Sequence, residues 1–236
     1  MFAAMANKVK NTRISKLERA AAKKASNYHH GSLRVALIHA ARAILESEGY
    51  DALTLRAAAR RVGVSQAAPY NHFADKAALL GAIAAQGFNE FAAAMRQEMH
   101  AAVDPQARLN ATGIAYVAFA TSNPGLFKLM FGSSAHQASG DLELDAARSA
   151  AYEVLRGAVH SVHGSVGQHA PDEPLESLKS WALVHGLATM INEGTIAPRF
   201  YGASSARELI TALLNSPQPK KKASDSIASV KKRKGG

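Results

Sequence analysis

The chain has 236 residues, 47% of them hydrophobic and 19% charged, with a formal net charge of +10, one tryptophan and no cysteine. That length can bury a sizeable core in one domain or two small ones. The lack of cysteine excludes disulfides, thiolate metal sites and cysteine nucleophiles, and fits a reducing cytoplasm. No apolar run approaches the roughly 20 residues of a membrane span, and the stretch Met1 to Ala6 is too short for a signal peptide.

The positive charge sits at the two ends. Residues 1–30 carry seven Lys/Arg against Glu18, and residues 216–236 carry seven against Asp225, so each end is +6 while residues 31–215 sum to −2. Both ends read as solvated basic segments that raise affinity for polyanions. The C-terminal run, with Pro217, Lys220 to Lys222 and Lys231 to Lys234, cannot build a core. In the N-terminal arm, Ile14, Leu17 and Ala20 to Ala22 could form a marginal helix when docked. The expected organisation is a basic arm (1–27), a three-helix head (28–80), a helical body (81–215) and a basic tail (216–236).

Between the ends, every element reads as helix. Leu33, Leu37, Ala40, Ala41, Ile44 and Leu45 recur at helical spacing, and Gly49 stands where a C′ glycine ends such a helix. Thr54 can cap the next helix, whose inner face is Leu55, Ala58, Ala59 and Val62. Gly63 permits a turn, and Ser65 is placed to cap a second short helix. Asp75 is placed to cap a longer helix carrying Leu79, Leu80, Ile83, Phe88, Phe91, Met95 and Met99. Further helices are expected over 105–121, 124–131, 141–163, 173–193 and 203–215, separated by Pro- and Gly-containing breaks. No β-branched alternating run is long enough for a central strand, so the fold class is all-α.

Residues 54–73 carry the strongest signal: two short helices about Gly63, the second polar and ending in aromatics. That is the layout of a helix-turn-helix, whose second helix enters the major groove of double-stranded DNA. Gln66 is the best base reader, because its amide can donate to and accept from adenine at once. Ser65 and Ala67 stand beside it at the start of that helix, and Ala67 and Ala68 are small enough for close approach. Pro69 removes one N–H near the first turn and serves either packing or contact. Thr54 can cap its helix and offer its hydroxyl to a phosphate. Asn71 is polar with base and phosphate both open to it, and Phe73 reads as core.

The segment Leu33 to Leu80 resembles the N-terminal domain of TetR-family transcriptional regulators. The matching residues are Thr54, Ala59, Gly63-Val64-Ser65, Tyr70, His72, Phe73, Lys76, Leu79 and Leu80. Downstream, Trp181-Ala182-Leu183-Val184-His185-Gly186 looks like the Trp-x-x-x-His-Gly signature of the WHG class of TetR-like C-terminal domains. The stretches Asn123 to Phe131 and Tyr28 to Arg34 are similar to others of that class. The resemblance covers most of residues 28–215 and leaves the tails outside. It implies that Tyr70, His72 and Lys76 approach DNA phosphates, with Tyr28 adding backbone contacts. It also departs from the family at Ala58, where a larger aliphatic side chain is usual.

One head of this size contacts few bases, so a homodimer on a near-palindromic operator is expected, with reading helices about 34–36 Å apart. Leu178, Trp181, His185 and Ala188, with Leu209, Ile210 and Leu213, recur at three- and four-residue spacing and are the candidate dimer surface. Trp181 and His185 read equally well as an internal packing pair. The resemblance implies a four-helix bundle across the two-fold axis. Phe88, Phe91, Met95, Phe119, Phe127, Met130 and Phe131 are candidates to line an apolar pocket for a small-molecule effector, against the alternative of plain core. In that scheme the helix starting at Asp75 moves when effector binds, and effector and DNA weaken each other's binding by one factor. The resemblance implies repression relieved by ligand.

No enzyme activity, cofactor or metal is expected. His160 and His163 with His169, and Asp141, Glu143 and Asp145, lack a recognised ligand spacing, and the acids suit the first turn of a helix. The competing reading is a sequence-blind DNA-compacting protein driven by the basic tails. The helix-turn-helix argues against it.

Overall fold

The computed structural model describes residues 33–132, 141–163 and 173–216. The arm and tail, Tyr28 to Ser32 and His169 lie outside the described residues. The elements, in order, are α1 (33–48), α2 (Leu55–Val62), a 3-10 turn (Ala68–Asn71), α3 (Lys76–His100), α4 (Pro105–Ser122) and α5 (Pro124–Phe131). They continue with α6 (Leu142–His163), α7 (Glu173–Asn192), a second 3-10 turn (Pro198–Tyr201) and α8 (Ala206–Asn215). No strand occurs among the described residues.

Local chemistry sets most helix starts. Side-chain oxygens of Thr54, Asp75, Asp104 and Ser205 accept from the amides of Ala57, Ala78, Ala107 and Glu208, satisfying donors that a helix start leaves over. Pro105 and Pro124 occupy first-turn positions, where no intrahelical N–H is needed. Asp141 accepts from the amides of Glu143 and Leu144, so the acidic run at 141–145 serves the start of α6. Gly49 and Gly63 adopt φ of 86° and 83°, the left-handed conformation that ends α1 and α2.

Helix α3 is the spine. It packs mainly on α6 and α4, with α5 against its side, while α7 and α8 cover α4. Its buried residues run from Leu79 to Met95. They belong to one hydrophobic cluster that extends from Leu37 and Leu53 in the head to Leu187 and Ile210 in the body. The boundary expected at 80/81 therefore falls inside a continuous helix with a continuous core. Ala58 is fully buried in that cluster. No helix of the described residues is long and apolar enough to cross a membrane.

Candidate nucleic-acid interface and effector cavity

The head turns tightly after α2. The Gly63 amide donates to Ala59 O and Arg60 O, and the Val64 amide returns to Ala59 O at 3.1 Å. The next segment is not the α-helix expected. Amides of Ala68, Tyr70 and His72 donate three residues back, to Ser65, Ala67 and Pro69, giving a tighter 3-10 turn. Pro69, without an N–H, sits inside it. Ser65 does not cap this element through its side chain; its main-chain oxygen accepts from Ala68 instead, and the capping position falls to Ala67.

Thr54, Ser65, Gln66, Ala67, Tyr70 and Asn71 are exposed, and His72 and Lys76 are half-buried. Pro69, expected to serve either packing or contact, is buried, as packing requires. Phe73 is 3% exposed and belongs to the core. Lys76 is held by Tyr50, donating to its carbonyl oxygen at 3.0 Å and lying 4.1 Å above its ring. Tyr50 was not singled out from the sequence, where a lone aromatic after Gly49 carries no spacing signal. Arg56 and Arg60 also stand exposed on α2, and their four-residue spacing is the signal that could have marked them.

Among the described residues, Arg34, Arg42 and Glu46 make polar ties from head to body. Arg34 reaches Glu143 on α6 at 3.3 Å, with its guanidinium 5.5 Å from the Phe73 ring centre. Arg42 pairs with Glu90 on α3 at 2.6 Å and donates to Asn123 Oδ1 at 2.8 Å. Glu46 places one carboxylate oxygen 3.0 Å from the Gly125 amide and the other 2.8 Å from the Leu126 amide, closing the N-terminus of α5. Here α1 approaches so closely that a β-carbon on Gly125 would lie 2.9 Å from Glu46 Oε2 and 3.0 Å from Leu45 O.

In the body, a cavity of about 530 Å³ is bordered by five helices. Its walls are Phe88, Phe91 and Met95 from α3, Tyr116 from α4, and Met130 and Phe131 from α5. Arg148, Ser149, Ala151, Tyr152, Glu153 and Leu155 from α6 and Trp181 and His185 from α7 complete them. Phe88, Phe91, Met95, Met130 and Phe131, five of the seven side chains expected at a pocket, thus line it. Phe127 instead borders a neighbouring cavity of about 510 Å³. Phe119 lines neither and packs on Phe91 with ring centres 5.1 Å apart.

Trp181 and His185 turn inward, away from the outer surface of α7. Trp181 Nε1 donates to the Tyr116 hydroxyl at 3.2 Å, and that hydroxyl lies 2.8 Å from His185 Nδ1. Burial pushes the Tyr116 hydroxyl up, so it stays protonated, with the Trp181 N–H partly opposing the shift. Burial lowers His185 below the ordinary histidine value. Helix phase explains the turn: Ser177, Trp181, Val184 and Ala188 follow the inner face, whereas Leu178, Ala182, Leu183 and Met190 are exposed. Leu213 on α8 is 43% exposed and Leu209 half-buried. Among the described residues no group of acids and histidines is arranged to hold a metal ion.

A helix-turn-helix head on an all-helical, cavity-bearing body defines a DNA-binding transcriptional regulator. Residues 37–83 match the model of bacterial regulatory proteins of the tetR family, and residues 109–214 match a tetracyclin repressor-like C-terminal domain. The chain belongs to the TetR family. A protein of unknown function from Rhodococcus sp. RHA1 is 35% identical, with a TM-score of 0.66 over 79% of this chain and 94% of that one. A tetR-family regulatory protein from Rhodococcus RHA1 is 20% identical, with a TM-score of 0.60 over 77% of this chain and 93% of its own. The TetR-family transcriptional regulator PfmR from Thermus thermophilus is 21% identical, with a TM-score of 0.57 over 75% of this chain and 94% of its own. No curated protein matches the sequence.

Proposed function

We propose that the protein is a ligand-responsive repressor of the WHG class, which binds a near-palindromic operator as a homodimer and leaves it when a small effector enters the cavity. The observation that carries this reading is that two cavity walls are also fixed to the head. Helix α3 runs unbroken for 25 residues, and it spans about 28 Å, at roughly 1.5 Å per residue, from Lys76 beside the reading turn past Phe88 and Phe91 to Met95 at the cavity. Helix α5 carries Met130 and Phe131 at the cavity, and Glu46 of α1 holds its first amides. An effector that repositions either helix moves the head, and DNA that prefers one head spacing opposes that effector by the same factor.

At the DNA, Gln66 reads a base edge, with Ser65 and Ala67 beside it. Thr54, Tyr70, Asn71, His72 and Lys76 hold the backbone. The exposed residues Leu178, Ala182 and Leu183 on α7 and Leu213 on α8, with Leu209, supply the apolar part of the dimer surface. The basic ends add phosphate contacts that weaken as salt rises. The protein works in the cytoplasm, on the nucleoid.

Selection of bound sequences from a random DNA pool at physiological salt tests the reading. A palindrome bound by a dimer is expected. Recovery of no consensus, with affinity collapsing as salt rises, would overturn it in favour of a sequence-blind DNA-compacting protein.

A further inference from the structure

We propose that the cavity takes an uncharged, ring-bearing effector that presents a carbonyl or ether oxygen to the Nε2–H of His185. This rests on reading the cavity as the effector site. The direction of the hydrogen bonds at its inner end decides the chemistry. Indole nitrogen can only donate, so the 3.2 Å contact makes the Tyr116 oxygen an acceptor from Trp181. With no other partner for the Tyr116 hydroxyl among the described residues, its proton is assigned to His185 Nδ1, 2.8 Å away. A ring nitrogen that accepts carries no proton of its own, so the imidazole proton sits on Nε2. The depressed proton affinity of His185 keeps the ring neutral. Nε2 makes no hydrogen bond among the described residues and is not fully buried. His185 borders both the 530 Å³ cavity and the neighbouring one of about 510 Å³, and on this inference Nε2–H faces the first.

The other polar groups narrow the class. The Trp181 N–H and the Tyr116 hydroxyl are already engaged with each other and with His185. At the rim, Arg148 pairs with Asp145 at 3.2 Å and Glu153 with Arg156 at 2.7 Å, so neither an anion nor a cation meets an uncompensated opposite charge. The hydroxyl-bearing Ser149 and Tyr152 also line the space, and most of the rest is apolar, with the rings of Phe88, Phe91, Phe131 and Trp181 suiting a flat hydrophobic body. A volume of about 530 Å³ lies within the roughly 300–1,000 Å³ usual for small-molecule sites.

The test is calorimetric titration of the full chain with naphthalene, 2-acetylnaphthalene and 1-naphthylmethylammonium. The emission of Trp181, the single tryptophan, follows occupancy of the cavity in parallel. The ketone is expected to bind about tenfold more tightly than naphthalene, the worth of one net hydrogen bond, and the cation most weakly. His185→Phe should erase the preference while keeping naphthalene binding. Nitrogen-15 spectra of the unaltered protein should show a protonated Nε2 that shifts with the ketone and not with naphthalene, which makes the test independent of any variant's folding. Equal binding of ketone and hydrocarbon, a preference that survives His185→Phe, or a proton on Nδ1 would overturn the inference and leave the cavity reading standing. If no probe binds and Trp181 emission stays constant, the effector-cavity reading itself falls, and this inference with it.

Discussion

On the proposed reading, single side chains divide the head into readers and holders. Gln66 is exposed and free of packing duties, so Gln66→Ala is expected to relax preference at one base position by about 1–3 kcal/mol while leaving non-specific affinity unchanged. Tyr70→Ala should weaken binding to every sequence alike, and competition binding against operator and scrambled duplexes separates the two outcomes. Lys76 differs from Tyr70, because its ammonium already rests on Tyr50. Lys76→Ala therefore removes a cation near the DNA and a contact that holds the α1–α2 connection in place. In the body, the lowered proton affinity of His185 has a defined sign for stability. Below the ordinary value near 6.5 the unfolded chain takes up a proton that the folded site resists, so stability falls as pH drops through that value toward the folded one. Thermal unfolding from pH 7.5 to 5 should show this decline, and His185→Phe should flatten its share of it.

At the scale of elements, the contact between α1 and α5 matters most. The Glu46 carboxylate satisfies the amides of Gly125 and Leu126, which Asn123 does not cap with its own side chain. Glu46→Gln is expected to cost about 1 kcal/mol of stability, as for loss of a helix cap. Gly125→Ala should act more severely, because the added carbon meets the main-chain oxygen of Leu45 as well as the Glu46 side chain. Both variants should retain DNA binding and ligand binding while weakening the effect of one on the other. Operator affinity measured with and without a cavity ligand checks this, and full coupling in Gly125→Ala would mean that α3 alone carries the signal. Helix starts were legible in the residues themselves, because Thr54 and Asp75 act within three residues of their own position. The 3-10 geometry after Gly63 was less legible, since Pro69 permits either a first-turn helix position or a tight turn. The 3-10 turn forms with Pro69 buried.

For the whole molecule, the predicted dimer and the basic ends set separate terms. Leu178→Glu combined with Leu213→Glu places charge on two exposed apolar positions of α7 and α8. Sedimentation should show loss of the dimer with helicity retained, and operator affinity should fall accordingly. Removal of residues 216–236 takes away seven Lys/Arg and should flatten the salt dependence of binding without changing the selected consensus.

The all-helical class, the positions of most helices and the reading turn were determined by the sequence alone, because caps, glycines and helical periodicity act over a few residues. Phe88, Phe91, Met95 and Met130 could be found the same way, since large apolar side chains on middle helices point to an interior. Which of two faces a helix buries was a tertiary decision. Leu178 and Trp181 are three residues apart and share a helical spacing, yet Leu178 faces outward while Trp181 bonds to Tyr116, 65 residues away in sequence. The cavity, the Tyr116–His185 pair and the Glu46 grip on α5 all join residues from distant parts of the chain. Periodicity along one helix carries no information about what another helix brings against it.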